Sequence, residues 1–209
     1  MTNPTPFCQS IRIAAPGAEM HDRFEEILQK MLSDPSVAVR VAASAAIDRL
    51  RAKKRASTYL EKLETGNLEE RVRIVFAAEE IGGRAGLSIL LAALSNNESE
   101  VRGAAVRALG NSLSPKVLKA LVEHLPKENG VVLGNILEAL GKSFRRELSP
   151  ILEKYLEHPD HEVRGKAIVA FARVAEGDRL EKILQYAGAQ TDTIRAAVAR
   201  ALGEWSEED

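Results

Sequence analysis

The sequence has few of the features that mark secreted, membrane-bound or redox-active proteins. It contains one cysteine, Cys8, which cannot form an internal disulfide and which we expect to be inert. No apolar run approaches the roughly 18–20 residues that a membrane-spanning helix needs. The first twenty residues also lack the basic start and apolar run of a signal peptide. We therefore expect a cytoplasmic protein.

Aromatic residues and net charge are also scarce. Aromatic residues make up 4% of the chain and hydrophobic residues 45%, so the core must consist mainly of alanine, leucine, valine and isoleucine. These side chains suit closely stacked helices, whose axes lie about 8–10 Å apart. The formal net charge is −1, whereas a general nucleic-acid-binding protein shows a clear basic excess. The composition therefore counts against nucleic acid as the main partner.

The motifs of common catalytic and metal sites are missing as well. The chain has no glycine-rich phosphate loop, no Gly-x-Ser-x-Gly elbow and no Cys-x-x-Cys pair. His158 and His161 flank Asp160, but this cluster lacks the ligand spacing of a metal site, and we interpret it as a turn with two exposed histidines. The sequence predicts no catalytic residue, no metal and no cofactor.

What the chain does have is an internal repeat, marked by a Val-Arg dipeptide or its equivalent. The second residues of successive dipeptides are 33, 29, 31, 31 and 31 residues apart. The six dipeptides are Val39-Arg40, Val72-Arg73, Val101-Arg102, Val132-Leu133, Val163-Arg164 and Ile194-Arg195. A period of this length is typical of stacked helical units, none of which can bury its apolar face alone.

Each unit is predicted to hold a first helix, a polar turn and a second helix. The second helices are predicted at residues 36–52, 69–82, 98–111, 129–142, 160–176 and 191–204. Ser36, Asn129, Asp160 and Thr191 are good N-caps for four of them, and glycines recur where helices should stop, at Gly110, Gly141 and Gly203. Residues 1–18 are predicted to form an irregular leader, and residues 19–209 a single repeat domain.

The second helices have two distinct faces. Counted from the second residue of the dipeptide, positions −1, +3 and +7 are mostly apolar and are predicted to be buried. Position +1 is glycine in three consecutive units, Gly103, Gly134 and Gly165, which predicts close backbone contact with a neighbouring helix. Positions −2, +2, +5 and +9 form the opposite stripe.

The middle of this opposite stripe is the predicted partner-binding surface. Its candidate residues are Arg107, Val131, Asn135, Lys166, Val169 and Arg173. Arginine beside apolar surface is enriched at interfaces. A merely solvated face is the alternative, and the i,i+4 pairs Glu138–Lys142 and Glu162–Lys166 fit it. Both interpretations stay open.

Residues 98–110 (ESEVRGAAVRALG) and 34–46 (DPSVAVRVAASAA) resemble HEAT repeats, most closely the short bacterial form of phycobilisome-lyase-type proteins. The resemblance implies an all-α, right-handed α-solenoid of about six units, with second helices lining a concave surface. In such repeats the recurring arginine commonly pairs with acidic groups of neighbouring units. Arg40, Arg73, Arg102, Arg164 and Arg195 match that position, and Leu133 interrupts the series, so we expect a softer joint in the fourth unit.

The expected function is a non-catalytic, monomeric scaffold that binds another protein or peptide on its concave face. One alternative, suggested by the resemblance, is an accessory subunit of a bilin lyase or isomerase. Another is a nucleic-acid-binding or DNA-repair protein. The basic cluster from Arg49 to Arg55, predicted in a turn, fits either a phosphate-binding rim or complementation of helix dipoles. Trp205 fits either a cap on the last repeat or an anchor for a partner.

Overall fold

A computed structural model describes residues 18–204, apart from the side chains of residues 18, 19, 21 and 180. The described residues form helices and no strand, with short 3-10 turns at Leu125–Lys127 and Arg146–Leu148. The α-helices are α1 Ala18–Met31, α2 Val37–Thr65, α3 Leu68–Ile81, α4 Gly83–Ala93, α5 Ser99–Leu109, α6 Pro115–His124, α7 Gly130–Gly141, α8 Ser149–Glu153, α9 His161–Ala172, α10 Asp178–Leu184 and α11 Asp192–Glu204.

The chain divides into two compact units, Met1–Arg55 and Ala56–Asp209. In the first unit, ion pairs tie α1 to α2: Arg51 Nε lies 2.7 Å from Glu25 Oε1, and Lys54 Nζ lies 3.2 Å from Asp22 Oδ1. The single domain predicted over residues 19–209 stays a prediction.

The second unit is a solenoid of helical repeats. Its second helices are α3, α5, α7, α9 and α11, and each packs against the next in the series. The first helices α4, α6, α8 and α10 alternate with them along the chain and pack against second helices. The all-α solenoid predicted from the sequence is therefore confirmed.

Side-chain caps mark the starts of α3, α6 and α9. Asn67 and Glu70 form a capping box before α3, in which Asn67 Oδ1 accepts a hydrogen bond from the Glu70 amide at 2.9 Å. Ser114 caps α6 with proline in its first turn, and Asp160 caps α9 through the amides of residues 162 and 163. Asn129 precedes α7, but its side chain makes no capping hydrogen bond.

Helix α2 departs from the prediction because it contains no turn after residue 52. It runs unbroken for 29 residues and includes Lys53, Lys54 and Arg55, which were predicted to lie in a turn. The reason is local: the segment has no glycine or proline, and alanine, leucine, lysine and arginine, all strong helix formers, dominate it. Nothing in the sequence stops the helix at the predicted boundary.

Backbone hydrogen bonds define the repeat register more precisely than the dipeptide does. At the start of each second helix, one amide donates to the carbonyl of the residue just before the helix. The six donors are Arg40, Arg71, Arg102, Leu133, Arg164 and Arg195. They lie 31 residues apart throughout. The steps of 33 and 29 therefore came from aligning the second sequence repeat on Arg73 instead of Arg71.

The predicted buried face of the second helices is confirmed in the third, fourth and fifth sequence repeats. Positions −1, +3 and +7 are buried at Val101, Ala105, Leu109, Val132, Ile136, Leu140, Val163, Ala167 and Phe171. In the last unit Ile194 and Val198 are buried, but Leu202 is 42% exposed. The described chain ends two residues beyond Leu202, so no following second helix covers it within residues 18–204.

Candidate interaction surface

The predicted partner-binding residues lie on three consecutive second helices. They are Arg107 on α5, Val131 and Asn135 on α7, and Lys166, Val169 and Arg173 on α9 or at its C-cap. Val131 is 78% exposed. Arg107 and Lys166 are also exposed, while the other three are partly buried. We call the surface formed by α3, α5, α7, α9 and α11 the second-helix face.

The exposed stripe is narrower than one helix viewed alone suggests. Ala104 and Ala197, both at stripe position +2, are buried, and Val169 packs against the core. Each inner second helix has another second helix on both sides, so its neighbours cover the edges of the stripe. The outer surface of the stripe is left to the longer polar side chains and to Val131.

Polar side chains connect successive second helices across this face. Asn111, two residues after α5, donates through Nδ2 to Glu79 Oε1 on α3 at 2.7 Å. Glu138 on α7 accepts from Lys142 at the C-cap of that helix at 2.8 Å, the predicted i,i+4 pair, and from Lys166 on α9 at 2.5 Å. Hydrogen bonds from Lys142 and then Lys166 lower the pKa of Glu138 to about 2.

The predicted Glu162–Lys166 pair is wrong, because Lys166 pairs across to Glu138 on the preceding helix. Glu162 instead accepts a hydrogen bond from Thr193 Oγ1 at 3.3 Å, which links α9 to α11. Both side chains therefore act between repeats and not within one helix.

Arg173 makes a second connection between α9 and α11. Its Nε and Nη2 atoms donate to the two carboxylate oxygens of Glu204 at 2.7 and 3.1 Å, a forked pair. The hydrogen bond from Arg173 lowers the pKa of Glu204. The third guanidinium nitrogen, Nη1, is buried and has no hydrogen-bond partner among the described residues.

Two grooves open on the second-helix face. The first groove, of about 320 Å³, lies between α3, α5 and α7; its walls include Phe76, Glu79, Arg107, Asn111, Asn135 and Lys142. The second groove, of about 470 Å³, lies where α7, α9 and α11 end; its walls include Lys142, Phe144, Arg146, Arg173, Val174 and Glu204. Lys142 lines both, so the two grooves adjoin.

Sequence reasoning missed the two aromatic residues of these grooves. Phe76 is 51% exposed, although the dipeptide alignment assigned it to a buried position. In the register of Arg71 it falls at +5, the position that Arg107 occupies two residues after the core residue Ala105. The constant 31-residue step was the signal that would have placed Phe76 on the stripe.

Phe144 lies in the turn after α7 and is 66% exposed. Its φ is 51°, in the left-handed region, which costs a non-glycine residue about 1–2 kcal/mol. Its amide donates to the Gly141 carbonyl at 3.2 Å, and Ser143 Oγ donates to the Leu140 carbonyl at 2.5 Å, so the turn is held by local hydrogen bonds. No sequence pattern predicts this conformation or places Phe144 in a groove.

The recurring arginine has a different role from the one that the resemblance implies. In most units it folds back over the turn before its own helix and donates to carbonyl oxygens five and six residues earlier. These bonds join Arg40 to Asp34 and Pro35, Arg102 to Asn96 and Asn97, Arg164 to His158, and Arg195 to Ala189 and Gln190, at 2.7–3.0 Å. The arginines thus satisfy carbonyl groups of the turns.

Only Arg102 also makes the expected pair with an acidic residue of the next unit, among the residues that the structure describes. Its Nε and Nη2 atoms lie 2.6 and 3.1 Å from the carboxylate oxygens of Glu128, which precedes α7. In the second sequence repeat, Arg71 takes the equivalent place and donates to the Glu64 carbonyl at 2.8 Å. Arg73 is exposed and, within the described part of the chain, pairs only with Glu69 of its own helix, at 3.7 Å.

Leu133 replaces the arginine in the fourth unit and is buried, with 2% exposure. Its neighbours Val132, Ile136 and Leu137 are buried as well. The interruption of the arginine series therefore adds apolar contact to the core at this position. The softer joint predicted for this unit stays a prediction about dynamics.

The remaining candidate features do not form a site. In the described part of the chain, no group of three or more His, Cys, Asp or Glu residues could hold a metal ion. His158 Nδ1 accepts from the Asp160 amide at 3.2 Å and its ring stacks on Tyr155. Cys8 and Trp205 lie outside the described residues. None of the helices from residue 18 to residue 204 is both long and apolar enough to cross a membrane.

The comparison with protein families agrees with this architecture. The sequence profile of HEAT repeats matches residues 57–141 and 125–203. A crystal structure of an engineered protein from a structural genomics consortium is similar at a TM-score of 0.49 and 20% identity, over 87% of this chain and 95% of that chain. The comparison with curated proteins found no match.

Proposed function

Because the chain belongs to the HEAT-repeat family, whose members generally mediate protein–protein interactions, we propose that it is a non-catalytic scaffold that binds a partner protein on its second-helix face. The observation that carries this proposal is the pair of adjoining grooves flanked by exposed aromatic side chains. Phe76 and Phe144 present apolar surface next to Arg107 and Arg146. Aromatic residues and arginine are the types that dominate binding energy at protein interfaces.

The packing of the second unit supports this choice of face. Consecutive second helices pack directly on one another, whereas contacts between consecutive first helices are sparse. A layer with the closer spacing is the inner side of a curved stack, which favours a concave second-helix face. Repeat arrays commonly use such a surface for binding.

The alternative partners receive less support. A nucleic acid needs free cations along its row of phosphates, but Lys142, Lys166 and Arg173 are paired with Glu138 and Glu204. The carboxylate of Glu79, whose partner Asn111 is uncharged, would repel a phosphate. No observation on the described residues favours a role beside a bilin lyase. The cytoplasmic location and monomeric state expected from the sequence are part of the proposal.

The test is quantitative affinity capture from a lysate of the source organism with wild type and two variants of the face. Phe144→Gly relieves a left-handed conformation and should raise the free energy of unfolding by about 1 kcal/mol. Val131→Glu adds an acidic residue to the first turn of α7, which has none, and should not destabilise the helix. Unfolding therefore cannot account for a loss of binding by either variant.

The matched control is Leu184→Gln, which removes an exposed apolar residue from the first helix α10. We expect one protein to be retained by wild type and by this control, and to be reduced at least about fivefold with each face variant. Equal recovery with all four chains, or loss with Leu184→Gln alone, would place the binding surface elsewhere and contradict the proposal.

A further inference from the structure

We infer that the first groove binds an extended segment of the partner in which an acidic side chain lies next to an apolar one. Arg107 pairs with the carboxylate, Asn135 binds the main chain, and Phe76 contacts the apolar side chain. This rests on the proposed function and adds the chemistry of the partner to it.

The charge of the first groove favours an acidic side chain in the ligand. Its carboxylates already have partners: Glu79 accepts from Asn111, and Glu138 accepts from Lys142 and Lys166. Arg107 lines the same groove, is exposed, and makes no side-chain hydrogen bond or ion pair with any residue between 18 and 204. The cation available to a ligand is therefore Arg107, whose planar fork matches a carboxylate.

Asn135 favours a ligand with an extended main chain. It lies on α7 across the groove from Arg107, is partly buried, and likewise has no side-chain hydrogen bond within residues 18–204. A primary amide offers both donors and an acceptor, so it can bond to the N–H and the C=O of a peptide. An extended segment exposes those groups, whereas a helix satisfies most of its own.

Phe76 and the floor of the groove favour an apolar side chain in the ligand. Phe76 is half exposed at the α3 wall, and the floor includes Ala104, Ala108 and Ala139, all buried. The small floor residues leave a cavity of about 320 Å³, near the lower limit for a ligand pocket. This space suits two or three side chains of a peptide.

The same arrangement argues for a single carboxylate over a phosphate chain. One arginine balances one carboxylate, and the carboxylate of Glu79, whose partner Asn111 is uncharged, would repel further negative charge. The segment is therefore expected to carry an isolated acidic residue beside an apolar residue, not an acidic run.

The experiment begins with a phage-displayed library of random 12-residue peptides selected on the immobilised full chain and counter-selected on Arg107→Glu. The best peptide is synthesised with a fluorophore, together with a version whose acidic residue is lysine. Fluorescence anisotropy then gives the affinity of both peptides for wild type, Arg107→Gln, Arg107→Glu and Phe76→Ala. Arg84→Glu is the matched control, because Arg84 is an exposed arginine on the first helix α4.

We expect the selected peptides to share an acidic residue within two positions of an apolar one. Arg107→Gln should weaken binding of the acidic peptide by at least about tenfold, and Arg84→Glu by less than about twofold. Arg107→Glu should bind the lysine version more tightly than the acidic one. Circular dichroism of each variant confirms folding. Phe76→Ala tests the groove through a residue other than Arg107, at an exposed helical position where alanine is favourable.

The inference would be overturned by selection of basic or uncharged peptides, by affinity that does not depend on Arg107, or by no enrichment on wild type over Arg107→Glu. Arg107-dependent binding of a labelled single-stranded oligonucleotide tighter than that of any selected peptide would overturn it too. The scaffold proposal would still stand if the lysate partner remained sensitive to Phe144→Gly and Val131→Glu, so the two failures are distinguishable.

Discussion

Single arginine residues close the turns of this solenoid by binding backbone carbonyl groups. Arg102 and Arg195 each donate to two carbonyl oxygens in the turn before their own helix. Those oxygens would otherwise depend on water or remain unpaired, and hydrogen bonds from charged donors contribute about 1.5–3 kcal/mol each. The arginine is therefore a local structural residue first, and a link between units only where an acid such as Glu128 is in reach.

The second sequence repeat offers a direct test of this role, because Arg71 and Arg73 lie two residues apart in it. Arg71→Ala removes the bond to the Glu64 carbonyl, and we expect it to lower the free energy of unfolding by about 1–2 kcal/mol. Arg73→Ala removes an exposed pair with Glu69 and should change it by less than about 0.5 kcal/mol. Urea denaturation of both variants measures the difference. A larger loss for Arg73→Ala would restore the register read from the Val-Arg dipeptide.

At the scale of helices, the glycines separate into two classes. A Cβ on Gly103, Gly134 or Gly165 would meet its nearest neighbours at 3.5–3.7 Å, an ordinary contact distance. The close backbone approach predicted for these three is therefore wrong, since each site has room for a methyl group. Between second helices, the close approach occurs instead at Gly141, where a Cβ would lie 2.6 Å from Ala170 Cα on α9.

This difference predicts opposite effects of the same substitution on one helix. Gly134→Ala should raise the free energy of unfolding by up to about 1 kcal/mol, because alanine favours the helix and the nearest atom belongs to the flexible Lys166 side chain. Gly141→Ala should lower it by about 1–3 kcal/mol, because the backbones of α7 and α9 must separate. Thermal and urea unfolding measure both. If Gly141→Ala were as stable as Gly134→Ala, the tight packing of α7 on α9 would be refuted.

The ion pairs of Glu138 connect α7 to α9 and should make stability depend on pH. The pKa of Glu138 is about 2 in the folded protein, below the value of 4.5 for a free glutamate, so the folded state favours the charged form. Its contribution is complete above about pH 4.5 and is lost as the pH falls through about 2. The side chains are partly exposed, so we expect a contribution of only about 1 kcal/mol.

Glu138→Gln should therefore be less stable than wild type at pH 7, and the gap should close between about pH 4.5 and pH 2. Urea denaturation at several pH values measures it. Glu123→Gln is a suitable control, because Glu123 has only a 3.9 Å pair with Lys119 on the surface of α6. A gap between Glu138→Gln and wild type that is constant with pH would assign the effect of Glu138 to packing.

For the molecule as a whole, the periodic part of the fold is predictable from sequence and the exceptions are local. The 31-residue repeat predicts the second helices and their buried face because solenoid packing depends on nearest neighbours, which repeat with the sequence. Of the candidate surface, Arg107 and Val131 were found as exposed stripe residues by the same periodicity. Phe144 was not, because its place depends on a left-handed turn outside the repeat pattern, and the length of α2 was not, because no residue marks its interior as a boundary.

The distribution of buried residues predicts where the chain opens first. Among the described residues of the first unit, the buried apolar side chains are Ala43 and Ile47, whereas Met20, Phe24 and Ile27 of α1 are about half exposed. In the second unit, α7 and α9 bury most of their residues between other second helices. Local opening is easiest where few apolar contacts are lost.

Hydrogen–deuterium exchange of the full chain, followed by mass spectrometry of peptides, should therefore show α1 exchanging at least about a hundredfold faster than α7 and α9. The first half of α2 should be intermediate, since it carries the two buried residues. Comparable protection of α1 and α7 would mean that α1 is held by contacts beyond those of its own unit. It would also mean that the exposed apolar face of α1 is covered in solution, because half-exposed side chains alone cannot supply about 3 kcal/mol of added protection.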